Sequence, residues 1–436
     1  MGNHSNPKNK NAQKAYKGQI ISKKEDKEDD DNDNYSFCRG IFPPSLMDYK
    51  YSERRVPYYT EKMEISDEIE KKISEIKSDK IDFYEFPPNN EDEKIKVIID
   101  TDIGTDWDDA MAISYALKIP NLEILGITTN YGIPDLRASV TQKIIDAYLK
   151  SHPDKEPIPI IPGASCPLGS HRELIIFGHE GKPFYKKKDL KNNLKIDYIK
   201  KREQEKASDF IASMVKKYPG KVKIISIGIP TNIGLTLNKH KDIIPLIKEI
   251  VIMGCGDFIK NNKDNKYNKD YGNVINDIKN GNKINLFPNH NISGDALATK
   301  IIFDSGVKIK IVSHLVSSKF WAQGEIIDYF RNKAKNVKDL NNINDQDEVV
   351  GLLMNEWFNI RNKSGQYPHD PLTIHEAVYG GDKSPLIYLR GKIVIHEWAA
   401  FSTFIPQIDG AHYLSVKIKK NNNFLQTLSE TIMLTK

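Results

Sequence analysis

KVIIDTDIGTDWDDAM, residues 96–111, places five carboxylates (Asp100, Asp102, Asp106, Asp108 and Asp109) within ten residues. A short β-branched run, Val97-Ile98-Ile99, precedes them, and an apolar segment with helical spacing, 110–117, follows. The pattern predicts a strand, an acidic loop and the start of a helix. Like charges at this density repel one another unless something positive sits among them. Carboxylate oxygens are the ligands that a hard cation such as Ca²⁺ or Mg²⁺ prefers, so the loop is a candidate metal site. The carboxyl end of a strand is also where open α/β sheets place their sites. A helix N-cap cluster accounts for about two carboxylates, not five. An EF-hand loop follows a helix and carries its glycine at the sixth position, whereas a strand precedes this loop and Gly104 comes early.

Downstream of residue 95 strands and helices alternate. Strands are expected at 122–127, 158–161, 221–227, 249–253 and 307–312, and helices at 135–150, at 372–378 and from about Ser293. Residues 386–418 read as two or three strands and 424–434 as a closing amphipathic helix. This βα alternation predicts an α/β fold: an open, mostly parallel sheet with helices on both faces. Two lysine- and asparagine-rich stretches, about 182–206 and 260–283, read as polar loops or insertions rather than core. The first follows Phe177-Gly178-His179-Glu180-Gly181, a lid candidate on a stretch better read as surface.

Residues 1–60, rich in Asn, Lys, Asp and Ser, are expected to be a poorly ordered extension. Residues 61–94 are expected to be a helical lead-in, with Ile65, Ile69, Ile73 and Ile76 on one face. Met1-Gly2-Asn3-His4-Ser5-Asn6 approaches a myristoylation signal but has Asn6 where Ser or Thr belongs, so an unmodified tail is the favoured reading. A membrane role is expected only if Gly2 carries the lipid. The longest apolar runs fall short of a membrane span. The start of the chain lacks an apolar leader segment, and three cysteines, Cys38, Cys166 and Cys255, suggest no disulfide framework. Together these features point to a cytoplasmic protein. A net charge of +5 spread over many lysines is weak ground for nucleic acid, and no nucleic-acid partner is expected.

The acidic loop, DTDIGTDWDDA, resembles the signature DxDxGxDDA of the inosine–uridine preferring nucleoside hydrolases and is two residues longer. Later stretches agree in order. GIPTNIG at 228–234 resembles the family's GPLTNIA, Met253-Gly254-Cys255-Gly256 its MGG segment, and Gly272-Asn273-Val274 its GNV. Pro288-Asn289-His290-Asn291 aligns with its AEFN, and His369-Asp370-Pro371 with its late His-Asp pair. The resemblance covers about residues 95–434 and implies a nucleoside hydrolase-like, Rossmann-like fold. It implies hydrolysis of the N-glycosidic bond of a small-molecule nucleoside to free base and ribose, with inversion and no covalent intermediate.

The same resemblance implies the site. Ca²⁺ would be held by Asp102, Asp109, Asp370 and the backbone carbonyl of Thr231. Asp102 would be the general base toward a water acidified by the metal. Asp108 would accept from a ribose hydroxyl, Asn291 would bind ribose, and Asn273 and Asn289 would lie near the 5′ hydroxyl. His369, with a pKa near neutral, would be the general acid toward the departing base. A homodimer or homotetramer is the family's habit. Three departures stand out. Asn289 replaces a glutamate, Ile133 stands where Asn or Asp is usual near the catalytic water, and Asp106 competes with Asp108 for the ribose. A phosphatase reading, DxDx[TV], fails at Gly104. A relative that binds a ribosyl ligand or a metal without turnover, or a hydrolase of another ribosylated compound, stays open at this point.

Overall fold

The computed structural model describes residues 67–90, 92–168, 180–185, 206–256, 258–259, 271–287, 289–361, 363–396 and 402–434. The expected poorly ordered extension at 1–60, the Gly2 signal, His179 and most of the 182–206 stretch lie outside them. The lead-in is only partly helical. Helix α1 spans Asp67–Glu75, and the chain then extends into a short strand, β1 (Phe83–Tyr84). Its aromatic residues explain the difference: Phe86 is buried, and Tyr84 and Phe86 pack against Tyr413 at 4.8 and 5.0 Å between ring centroids.

From β2 (Ile95–Thr101) onward the expected alternation is present. In order come α2 (Asp108–Leu117), β3 (Leu122–Thr129), α3 (Pro134–Ser151), β4 (Ile160–Pro162), α4 (Lys206–Lys217), β5 (Val222–Ser226) and α5 (Thr231–Lys239). These are followed by β6 (Glu249–Met253), β7 (Phe258–Ile259), α6 (Tyr271–Lys279), β8 (Ile284–Leu286), α7 (His290–Gly294), α8 (Ala296–Asp304), β9 (Ile309–Val312) and α9 (His314–Ser317). The chain ends with α10 (Glu325–Asn336), α11 (Gln346–Arg361), α12 (His369–Val378), β10 (Leu386–Ile395), β11 (Ser402–Pro406), β12 (His412–Ile418) and α13 (Phe424–Met433). Among these helices none is long and apolar enough to cross a membrane.

The expectation of a loop over 260–283 is corrected at 271–279. There α6 forms because Val274 and Ile278, one turn apart, are buried in the core.

The strands form one sheet in the order β4-β3-β2-β5-β6-β9-β12-β10-β11-β8-β7, with β1 beside β10. Neighbours from β4 to β12 are parallel, and from β12 to β7 they are antiparallel. The parallel strands are covered on both faces, which is why they read as unbroken apolar runs: Val97, Ile98, Ile99, Ile224 and Ile225 are fully buried. One group of helices includes α2, α3, α11 and α12, and another α4, α5 and α8. The chain leaves β2 toward β3 and β4, then returns to the other flank of β2 to lay down β5. That reversal opens a crevice beyond the carboxyl ends of β2 and β5, the usual binding place in such sheets.

A buried acid fastens the helices around this crevice. The fully buried Asp347 of α11 accepts hydrogen bonds from Lys118 Nζ (2.6 Å), Tyr329 OH (2.6 Å) and Ser114 Oγ. Removing one partner of a buried ion pair leaves the other uncompensated. Asp347→Ala is expected to cost about 3 kcal/mol of stability. Urea unfolding checks this; a change below about 1 kcal/mol would show that α2, α10 and α11 do not depend on the pair.

Candidate active site

β2 delivers Asp100 and Thr101 to the crevice. Asp100 is fully buried and accepts from Thr128 Oγ1 (2.6 Å), Asn130 Nδ2 (3.0 Å) and Asn232 Nδ2 (2.7 Å). Burial pushes its carboxyl up to about 7 against the pull of these donors. It ties β2, β3 and α5 together. Thr101 Oγ1 accepts from Ile103 N (3.1 Å) and donates to Asp109 Oδ1. Gly104 turns the loop at φ +112°, a conformation that needs glycine, and its carbonyl accepts from Gly181 N (3.0 Å).

The two extra residues of the motif have a packing role. Trp107 is fully buried, edge-on to Phe330 of α10 and Phe358 of α11 at 5.8 and 5.9 Å. With that side chain inserted between two helices, the acids on either side separate. Asp106 Oδ1 accepts from Trp107 N (2.7 Å) and from Gln366 Nε2 (2.6 Å). Asp108 and Asp109 open α2, which packs on α12, and there they meet Asp370 in the first turn of α12.

Asp108, Asp109 and Asp370 are all buried, and one oxygen of each lies within 4.8 Å of the others. Burial raises all three carboxyls well above the usual range, and neighbouring carboxylates raise them further: Asp106, Asp109 and Asp102 act on Asp108, Asp102 and Asp106 on Asp109 against the pull of Thr101 and Arg137, and Asp108, Asp109, Asp102 and Asp106 on Asp370. Three buried carboxylates at this spacing suit a hard divalent cation, whose charge would offset repulsion that Arg137 relieves only at Asp109. Asp102 is half-buried beside them. Arg137 from α3 holds the loop from behind: Nε donates to Tyr131 O (2.7 Å), and Nη1 to Ile103 O (2.9 Å), Thr105 Oγ1 (3.2 Å) and Asp102 O. The sequence reading missed Arg137. The available signal was a single arginine on the apolar face of α3, flanked by the buried Leu136 and Val140.

From the other side of the crevice, Gly228 presses its backbone against the loop. A methyl group there would stand 2.7 Å from Asp102 N and 3.0 Å from Thr101 C. Neither atom can yield without moving the acidic turn. Gly228→Ala is expected to lower turnover about a hundredfold by displacing Asp102, with the chain still folded. Steady-state kinetics beside a thermal melt tests it; wild-type turnover would show that the loop tolerates the shift. Thr231, the first residue of α5, is buried and donates from Oγ1 to Asp295 Oδ2 (2.8 Å).

His369 opens α12 next to Asp370, with Nδ1 2.8 Å from Ser317 Oγ and its ring 5.4 Å from His314 and 5.5 Å from Tyr367. Burial, with smaller contributions from His314 and Lys363, pushes the imidazole down to about 3. The expected near-neutral pKa is therefore corrected: the ring is held neutral. Asn291 is buried and donates from Nδ2 to Ile227 O (3.0 Å) and Met253 O (3.2 Å), at the carboxyl ends of β5 and β6. Asn289 caps α7, its Oδ1 accepting from Asn291 N (2.9 Å). Asn273 is exposed on α6. Ile133 packs with Leu136 and Tyr185, and Asn130 gives its Nδ2 to Asp100 while its buried Oδ1 makes no hydrogen bond.

A family model described as inosine-uridine preferring nucleoside hydrolase matches residues 97–420. The chain belongs to that family. Ribonucleoside hydrolysis is the family's chemistry, and its members are enzymes acting on N-glycosidic bonds. Uridine nucleosidase 1 of Arabidopsis thaliana is 26% identical over 287 residues, 65% of this chain and 74% of the relative. A pyrimidine-specific ribonucleoside hydrolase of Salmonella typhi is 26% identical over 285 residues, 64% and 78% of the two chains. Among solved structures, a plant nucleoside hydrolase superposes with a TM-score of 0.54 at 21% identity, covering 78% of this chain and 99% of that one. A purine-preferring ribonucleoside hydrolase from Gardnerella vaginalis gives 0.53 at 22%, covering 77% and 98%. These likenesses carry the fold.

Proposed function

We propose that the chain cleaves ribonucleosides to free base and ribose with Ca²⁺ held by Asp102, Asp109, Asp370 and the Thr231 carbonyl. The observation that carries the reading is the gathering of Asp109 and Asp370, with Asp108, at the switch point of the sheet. When bound, the cation acidifies a water and neutralises the buried carboxylates. Asp102, the half-buried acid at the rim, takes the proton as the water oxygen attacks the anomeric carbon. The C1′–N bond breaks and its electron pair goes to the base.

Asp108 accepts from a ribose hydroxyl while sharing the cluster. Both protons of Asn291 Nδ2 are spent on carbonyls, so its Oδ1 is the atom for the ribose. The Asn289 oxygen is spent on the cap, which leaves its amide NH₂ for the 5′ hydroxyl; Asn273 is the third contact on that side. In this reading Ser317 Oγ, 2.8 Å away, donates to Nδ1 of a neutral His369, which puts the ring proton on Nε2. The role of His369 is then hydrogen-bond donation to the departing base rather than release of a stored proton. A cytoplasmic location belongs to the same reading, supported by the small number and wide spacing of the cysteines, Cys38, Cys166 and Cys255.

Reducing-sugar release from a panel of purine and pyrimidine nucleosides, uridine first, tests the proposal. Ribose release is the expected result. If Ca²⁺ binds and every nucleoside stays intact, the hydrolase reading falls, and Asn289 and Ile133 mark a site that binds without turnover.

A further inference from the structure

The opposite end of the sheet holds a second site. A cavity of about 160 Å³ lies at the amino ends of β5, β6 and β9, lined by Lys223, Lys248, Lys308, Lys310 and a single acid, Glu249. Two of these lysines are deeply buried, Lys223 at 4% exposure and Lys310 at 2%. Glu249 lies 3.2 Å from Lys223 Nζ and 3.3 Å from Lys308 Nζ. Lys310 reaches Glu376 behind the cavity at 3.7 Å, and its ammonium sits 3.9 Å from the Phe86 ring centroid. Four ammonium groups thus line a space that holds one carboxylate, with Glu376 behind it beside Lys310, an excess of positive charge around a space too small for a whole nucleoside. Burial pushes Lys223 down to about 8, with Lys310 adding to the shift; a second anion beside Lys223 would reverse it.

Glu249 adds a requirement of its own. It is almost fully buried, and Oε1 makes no hydrogen bond although Lys308 is near. Three lysines hold the carboxyl below its usual range, so it is an ionised acceptor in want of a donor. We propose that this cavity binds a compact oxyanion that keeps a proton at neutral pH, of the hydrogenphosphate class, with its oxygens on the lysines and its O–H donated to Glu249. Sulfate carries the same shape and charge but no proton, and would set an acceptor against an acceptor. The C-terminal turn of α12 borders the site: Lys223 Nζ donates to Ala377 O and Lys310 Nζ to Glu376 O, both at 2.6 Å. The same helix carries Asp370 at its other end, about 10 Å away at 1.5 Å per residue.

Calorimetric titration of the full chain with inorganic phosphate, at fixed ionic strength, tests the proposal. Saturable binding of one phosphate is expected, with sulfate at least tenfold weaker. The K248Q/K308Q variant, altered only at the two more exposed lysines, is expected to bind phosphate at least tenfold more weakly while melting and releasing ribose like the wild type. Glu249→Gln, which can donate where the carboxylate cannot, should erase the preference over sulfate. Absence of saturable binding, equal affinity for sulfate, or phosphate binding indifferent to K248Q/K308Q (as for an anion seated at the acidic cluster) overturns the proposal.

Discussion

Asp102→Asn is expected to lower kcat about a thousandfold while leaving cation affinity within about tenfold of wild type. Removing a positioned general base typically costs 10²- to 10⁴-fold. Cation binding survives, weakened by the loss of one ligand charge, because Asp109 and Asp370 stay gathered with Asp108. Asp370→Asn should behave in the opposite way: cation affinity falls on the order of a hundredfold or more, and activity recovers in part at high cation concentration. The fold is preserved in both, since each change removes a charge from a crowded, self-repelling cluster. Titration calorimetry for the cation beside steady-state kinetics separates the two roles. If both variants lose affinity and turnover in the same proportion, Asp102 acts as a ligand alone and the base must be sought elsewhere.

Chelation is expected to destabilise the folded chain, and more so at pH 8 than at pH 5. Asp100 is pushed up to about 7 and Asp106 to about 6, and Asp108, Asp109 and Asp370 are raised as well, all chiefly by burial. A carboxyl whose pKa is higher folded than unfolded contributes stability that is complete below about pH 4 and is lost as pH rises through the folded value. In the cation-free chain, then, these groups lose their contribution between about pH 4 and pH 7 and beyond. A bound cation favours the ionised cluster and offsets that loss. At a cation concentration of about a thousand times Kd the gain is about 4 kcal/mol, or about 5 °C in Tm for a chain of this size. Melting curves with and without chelator at the two pH values decide it. A chelator effect as large at pH 5 as at pH 8 would mean that the cation binds away from these acids.

The parts of this site that a sequence reveals are those carried by local pattern. The β-branched run before Asp100 gave away β2, β6 falls at 249–253 as expected, and Asp109 and Asp370 sit together across 261 residues of chain. What escaped is held by side chains meeting over long separations: Arg137 on the Asp102 and Ile103 carbonyls, Gln366 on Asp106, Ser317 on His369, Asn232 on Asp100. No local period encodes such contacts. Helix α6 escaped for another reason. Its Val274 and Ile278 are spaced as a helix requires, but the lysines and asparagines around them give the segment the composition of a loop. The pKa of His369 lay equally out of reach, because it depends on how much of the chain closes over the ring.

The position of β12 in the sheet bears on how the protein is made. This strand, at residues 412–418, pairs with β9 on one side and β10 on the other, so it joins the parallel half of the sheet to the antiparallel half. During synthesis β9 emerges about a hundred residues earlier, at 309–312, and its outer edge has no partner in the finished register until β12 arrives. At ordinary elongation rates that interval lasts from about 5 to 20 seconds. An unpaired strand edge is a template for wrong partners, so the nascent chain is exposed to misassembly there until β12 is made. Termination between 406 and 412 therefore yields a sheet in two unjoined parts, a product that quality control would meet as an aggregation-prone fragment.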